Sequence, residues 1–107
     1  MRAASGYREK APSRDVVDAM HGPLVIEFGT DWCGHCQAAQ PAIASALAGR
    51  DGVEHLKIED GKGRPLGRSF AVKLWPTLIV MRDGVELARV VRPTDAATVT
   101  EALRALD

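Results

Sequence analysis

The chain has 107 residues, 46% of them apolar, and its fourteen basic and fourteen acidic side chains give a formal net charge of zero. That length buries one core and leaves no room for a second domain, and the balanced charge gives neither nucleic acid nor an anionic membrane surface a basic patch to bind. Residues 1–12 carry no apolar run of the signal-peptide kind, and stretches such as Leu78 to Met81 are far too short to span a bilayer, so the expectation is a soluble cytoplasmic protein, and nothing in the sequence requires more than a monomer.

In chain order, residues 1–12 read as an irregular or poorly ordered segment. Ser13 is a candidate N-cap for a short helix through Val16, Val17 and Met20, ended by Gly22-Pro23. Leu24 to Phe28 is nearly continuous apolar sequence with β-branched members, the pattern of a strand covered on both faces. A helix is expected from about Cys33 to Ala48, with Ala39, Ile43, Ala46 and Leu47 on its apolar face, an end at Gly49 and a kink at Pro41. Val53 to Glu59 reads as a second strand. A glycine-rich connection follows, in which Arg64 and Arg68 read as a solvated face, and then a short helix near Pro65 to Val72. Thr77 to Arg82 and Val85 to Val91 flank Asp83-Gly84, a two-residue turn that closes antiparallel hairpins. Thr94 or Asp95 caps a last helix with Val99, Ala102, Leu103 and Leu106 on one face. Strands separated by helices and ending in a hairpin predict a single α/β domain, with a central mixed sheet of about four strands and helices on both faces.

Chemistry enters at Trp32-Cys33-Gly34-His35-Cys36, which holds the only two cysteines of the chain. At a helix start, residues three apart share a face, so the two sulfurs can form one disulfide. The first cysteine faces the unpaired amides and positive dipole end of the helix, which favour its thiolate, so Cys33 is the expected nucleophile. Cys36, one turn further in, is the expected resolving thiol. A zinc site is the competing reading, but it needs two more ligands, and His21, His35 and His55 lack the usual spacing. Haem attachment fails because Gln37 stands where a histidine is required. A purely structural disulfide stays open, although so small a loop stabilises little.

Phe28 through Cys36, Pro41 in the next helix, Trp75-Pro76-Thr77 before the hairpin and Asp83-Gly84 within it occur in the order of the thioredoxin family, which the chain resembles over roughly residues 14–107. The resemblance implies the thioredoxin fold and dithiol/disulfide exchange with protein disulfides. It further implies an electron donor such as a thioredoxin reductase or glutathione, and no metal or organic cofactor. It makes Cys33 the attacking and Cys36 the resolving thiol, and Pro76 a cis-proline facing them, with the backbone of Trp75 pairing with an extended client chain.

Glu27 aligns with the family's buried acid. Its place in an apolar run predicts a raised pKa and a role as proton acceptor for Cys36, the alternative being a side chain that reaches solvent at the sheet end. His35, set where disulfide isomerases also have histidine, is expected to stabilise the Cys33 thiolate and raise the reduction potential, unless it is simply exposed without a partner. Trp32 and Gly34 complete the expected client surface. Gly29 replaces a first tryptophan, leaving Trp32 as the only ring directly beside the cysteines. Trp75 replaces a smaller aliphatic residue, and Arg92 a glycine that lets the client approach. Trp75 and Arg92 either tune client choice or are ordinary surface side chains. His55 aligns roughly with a lysine near the buried acid, and an edge-facing histidine is favoured over one coupled to Glu27.

Overall fold

The computed structural model describes residues 6–107. The order is α1 (Arg14–Asp18), β1 (Pro23–Gly29), α2 (Gly34–Ala48), β2 (Glu54–Glu59), α3 (Pro65–Ser69), β3 (Thr77–Arg82), β4 (Val85–Val91) and α4 (Ala96–Leu103), followed by a 3-10 turn over Arg104–Leu106. The four strands form one mixed sheet in the order β2-β1-β3-β4, with β1 parallel to β2 and antiparallel to β3, and β3 antiparallel to β4.

The central position of β1 explains its composition. Leu24, Ile26 and Phe28 point to one face and pack with Val17 of α1, Leu66 of α3, Phe70, Leu56, Ile58, Ile79 and Met81. Val25 points to the other, where Ala39 and Ile43 of α2 meet Val99, Leu103 and Leu106 at the C-terminus. A strand covered on both faces has no solvent side on which to alternate. Each large side chain so buried contributes about 1.5–3 kcal/mol. Glu27, on the α2 face, is fully buried among these residues.

The caps agree with the sequence. The Ser13 hydroxyl accepts from the Val16 amide and the Asp95 carboxylate from the Thr98 amide, each filling an orphan donor of a first turn. Between β3 and β4, Asp83 (φ 51°) and Gly84 (φ 79°) both have positive φ, as a type I′ hairpin turn requires. α3 is shorter than expected, ending at Ser69 instead of near Val72; Ala71 turns to φ 57° and leaves the helix.

Residues 1–5 of the segment expected to be irregular lie outside the described residues. The remainder is held against the sheet edge: Arg8 bridges Ile58 in parallel, its amide donating to the Lys57 carbonyl at 2.9 Å and its carbonyl accepting from the Glu59 amide at 2.8 Å. Arg64 belongs to no purely solvated face. It donates to the Glu9 carbonyl at 2.9 Å and pairs with Glu59 at 2.5 Å, tying this segment down. Tyr7 is thereby carried into the interior, 7% exposed.

Candidate active site

Cys33 is the N-cap of α2, and its Sγ accepts a hydrogen bond from the Cys36 amide at 3.2 Å. A sulfur thus takes the place usually filled by a serine or aspartate oxygen, with a helix N-terminus directed at it. Both cysteines are unbonded thiols. Cys33 is 8% exposed and Cys36 1%. Burial first, then the contact with Cys33, pushes the Cys36 thiol up to about 11, against smaller lowering effects from the Thr30 amide and the Tyr7 hydroxyl. The partition into an outer and an inner thiol follows from where the helix begins.

Beneath Cys36 lies a polar cluster. Tyr7 donates its hydroxyl hydrogen to Glu27 Oε2, Gln40 Nε2 donates to the same oxygen at 2.9 Å, and His55 Nε2 lies 2.9 Å from Oε1. Gln40 also donates to the Cys36 carbonyl at 2.8 Å and accepts from Lys57 Nζ at 2.8 Å. The Lys57 ammonium stands 4.6 Å from the centre of the Tyr7 ring.

Two expectations are corrected here. Burial, the largest influence on Glu27, does act to raise its pKa, but hydrogen bonds from His55, Gln40 and Tyr7 and the attraction of His55 outweigh it and hold the carboxyl below the usual carboxylate range. A carboxylate satisfied by three partners is a weak proton acceptor. His55 in turn is coupled to Glu27 rather than simply edge-facing, because parallel pairing of β1 with β2 sets Val25 opposite His55 and Glu27 opposite Lys57 on one face.

The missing tryptophan is also accounted for. A Cβ built on Gly29 would lie 2.6 Å from Cys36 Sγ and 2.8 Å from both Cζ and the hydroxyl of Tyr7. The tyrosine ring therefore occupies the space beside Gly29. Tyr7 was not found from the sequence, although it is the sole tyrosine and the glycine signalled a ring to be supplied from elsewhere.

The Trp75–Pro76 peptide bond is cis and Pro76 is buried. Trp75 packs against the cluster of Tyr7, Cys33 and Cys36 and meets Trp32 edge to face at 5.9 Å between ring centres. Its indole Nε1 donates to Asp60 Oδ2 at 2.9 Å. Asp60, which no sequence motif marks, is itself positioned by its amide donating to the Gly29 carbonyl at 3.0 Å. Trp32 is 75% exposed, an apolar surface next to the outer thiol. Arg92 has φ 52°, and its Nε donates to the Trp75 carbonyl at 2.8 Å. Gly34 and His35 are exposed on the first turn of α2, and no hydrogen bond joins the His35 side chain to Cys33. Among the described residues no three His, Cys, Asp or Glu side chains are grouped to hold a metal ion, and no helix is long and apolar enough to cross a membrane.

A mixed four-stranded sheet between two helical layers, with an outer and an inner thiol at a helix N-terminus beside a cis-proline, defines a dithiol protein of the thioredoxin fold. The model of the family described as Thioredoxin matches residues 8–105, and the chain belongs to that family. It is similar to the solved structure of thioredoxin 2 from Pseudomonas aeruginosa PAO1 in its reduced form, with 56% identity and a TM-score of 0.87 over 97% of this chain and 96% of that one. Protein disulfide-isomerase A2 of Homo sapiens is 38% identical over 90 residues, covering 78% of this chain and 17% of the relative. Thioredoxin Asp f 28 of Aspergillus fumigatus is 26% identical over 68 residues, covering 64% of this chain and 63% of its own length. The chain thus spans less than two thirds of these two curated relatives.

Proposed function

We propose that the protein is a thiol–disulfide oxidoreductase that reduces protein disulfides. The observation that carries this is Cys33 Sγ held at the α2 N-cap by the Cys36 amide, with Cys36 buried one turn behind it. The Cys33 thiolate attacks one sulfur of a client disulfide, and the other client sulfur leaves as a thiolate. Cys36 then attacks Cys33, the mixed disulfide breaks, and the client departs fully reduced while the two electrons it gained leave a Cys33–Cys36 disulfide behind. A reductase or glutathione restores the dithiol, and the chemistry needs no metal or organic cofactor. Trp32 and Trp75 form the apolar floor on which a client rests, and the setting is a reducing cytoplasm with a monomeric enzyme.

The Gly34-His35 pair and the likeness to disulfide-isomerase domains favour one second reading, an oxidase or isomerase of protein disulfides. Equilibration of the Cys33/Cys36 couple against glutathione distinguishes the two. A potential near the thioredoxin reference of about −270 mV supports reduction, and one near the isomerase reference of about −180 mV supports the second reading. Insulin-disulfide reduction by the wild type and by Cys33→Ser tests the chemistry itself. Negligible wild-type turnover, with partner binding that survives the substitution, makes the chain a binding module instead.

A further inference from the structure

Tyr7 has one hydroxyl hydrogen and two claimants for it. The hydroxyl donates to Glu27 Oε2, yet its oxygen and the Cys36 sulfur also border one and the same space beside Gly29, where an added Cβ would stand 2.8 Å from the first and 2.6 Å from the second, and the hydroxyl acts to lower the pKa of the Cys36 thiol. Glu27 does not depend on Tyr7 alone, since Gln40 and His55 each stand 2.9 Å from its oxygens. The sulfur is poorer in donors: with the thiol protonated it needs none, and as a thiolate in a buried site it has the Thr30 amide.

We propose that Tyr7 is a catalytic residue of the resolving step, its hydroxyl turning from Glu27 to the Cys36 sulfur as that sulfur becomes an anion. This rests on the oxidoreductase reading and specifies how its second half proceeds. The Cys36 proton leaves to water through the cleft of about 180 Å³ that Cys36, Gln37 and Lys57 help to line. The thiolate, held by the Tyr7 hydroxyl and the Thr30 amide, attacks Cys33 Sγ; the bond from Cys33 to the client sulfur breaks, and that sulfur leaves with the electron pair and takes a proton from water. Tyr7 then returns to Glu27. Charged and titratable groups facing this path are Glu27 from β1, His55 and Lys57 from β2, Arg8 and Asp31 flanking Tyr7, and the Cys33 thiol; α2 adds the neutral Gln40.

The test is single-turnover reaction of the reduced protein with one equivalent of 5,5′-dithiobis(2-nitrobenzoate), followed by absorbance between pH 5 and 9. The first thionitrobenzoate reports capture by Cys33, and the second reports resolution by Cys36. Tyr7→Phe keeps the ring beside Gly29 and is expected to leave the first phase within twofold. A hydrogen bond to a charged group shifts its ionisation by about a tenfold factor or more. The Cys36 thiol stays mostly protonated across this range, so the second phase should slow about tenfold at every pH from about 5 to 9. Because Tyr7 is the only tyrosine, growth on 3-fluorotyrosine alters this residue alone. Its more acidic hydroxyl should speed the second phase at a given pH and leave the first unchanged, which keeps the test open even if Tyr7→Phe does not fold. A second phase with the same rate in wild-type and fluorinated protein at every pH overturns the proposal, as does equal slowing of both phases in Tyr7→Phe. Absence of the first phase in the wild type would instead refute the oxidoreductase reading.

Discussion

Gly29→Ala is the smallest change that tests the packing under the inner thiol. Gly29 has no positive φ, so alanine meets no backbone strain there, and reduced freedom of the unfolded chain should favour it by about 0.4–1 kcal/mol. Against this, the added methyl would sit 2.6 Å from Cys36 Sγ and 2.8 Å from two atoms of Tyr7, about 1 Å inside ordinary contact distance. Neither neighbour is a flexible surface side chain, since both are buried. Overpacking of this kind costs about 1–3 kcal/mol. The net expectation is a loss of about 1–2 kcal/mol, read as a lower urea midpoint at unchanged slope for the reduced protein. In a Tyr7→Ala background the sulfur and the new methyl share the vacated space, so the penalty should shrink by at least about 1 kcal/mol, a coupling that residues in contact commonly show. Equal penalties in the two backgrounds, or stabilisation in the wild-type background, would refute the assignment of this space to Tyr7.

Other substitutions probe the polar groups and the client surface. The pKa of Glu27 is depressed, so its stabilising effect is present above the ordinary carboxylate range and lost as pH falls through its folded value. Glu27→Gln should cost about 1–3 kcal/mol at pH 7, with the gap in melting temperature to wild type narrowing below about pH 4; a gap constant down to pH 3 contradicts the three-donor account. At Arg92, held at φ 52°, glycine should be more stable than alanine by about 1 kcal/mol in chemical denaturation, the reverse of their order in a helix. Both variants free the Trp75 carbonyl and should lower KM for an extended disulfide peptide, and an unchanged KM in both removes Arg92 from the client surface. With limiting iodoacetamide at pH 7, mass spectrometry should place the adduct on Cys33, because Cys36 is 1% exposed and its thiol is raised to about 11; preferential labelling of Cys36 would invert the assigned roles.

What the sequence made legible is what local pattern controls. The buried run of β1, the cysteine pair at the head of α2, the Asp83-Gly84 turn and the Asp95 cap each depend on residues a few positions apart, and each stands where it was read. The misreadings concern groups brought together from distant parts of the chain. The apolar neighbours of Glu27 in sequence predict a raised pKa, but the partners that reverse the shift come from residue 7, from α2 and from β2. His55 could be placed on the Glu27 face only once the strand register was known. Tyr7 lies in a polar segment that looked irregular because its order comes from the Arg8 bridge to β2, and such pairing leaves no periodic trace in four residues.

The departures from the family pattern are not independent of the rest of the chain. Gly29 leaves a space that the Tyr7 ring fills; Trp75, larger than the aliphatic residue it replaces, has its indole nitrogen satisfied by Asp60, whose own amide is anchored on the Gly29 carbonyl; and Arg92 reaches back to the Trp75 carbonyl. Gly29 therefore connects to all three, through Tyr7 on its side-chain side and through Asp60, Trp75 and Arg92 on its carbonyl side. Restoring a tryptophan at position 29 alone would place a large ring where Tyr7 and Cys36 already stand, so it can be accommodated only if Tyr7 is reduced in size. That same exchange would remove the hydroxyl assigned to the resolving step. Packing at the inner thiol and the chemistry proposed for it thus depend on a single side chain, Tyr7.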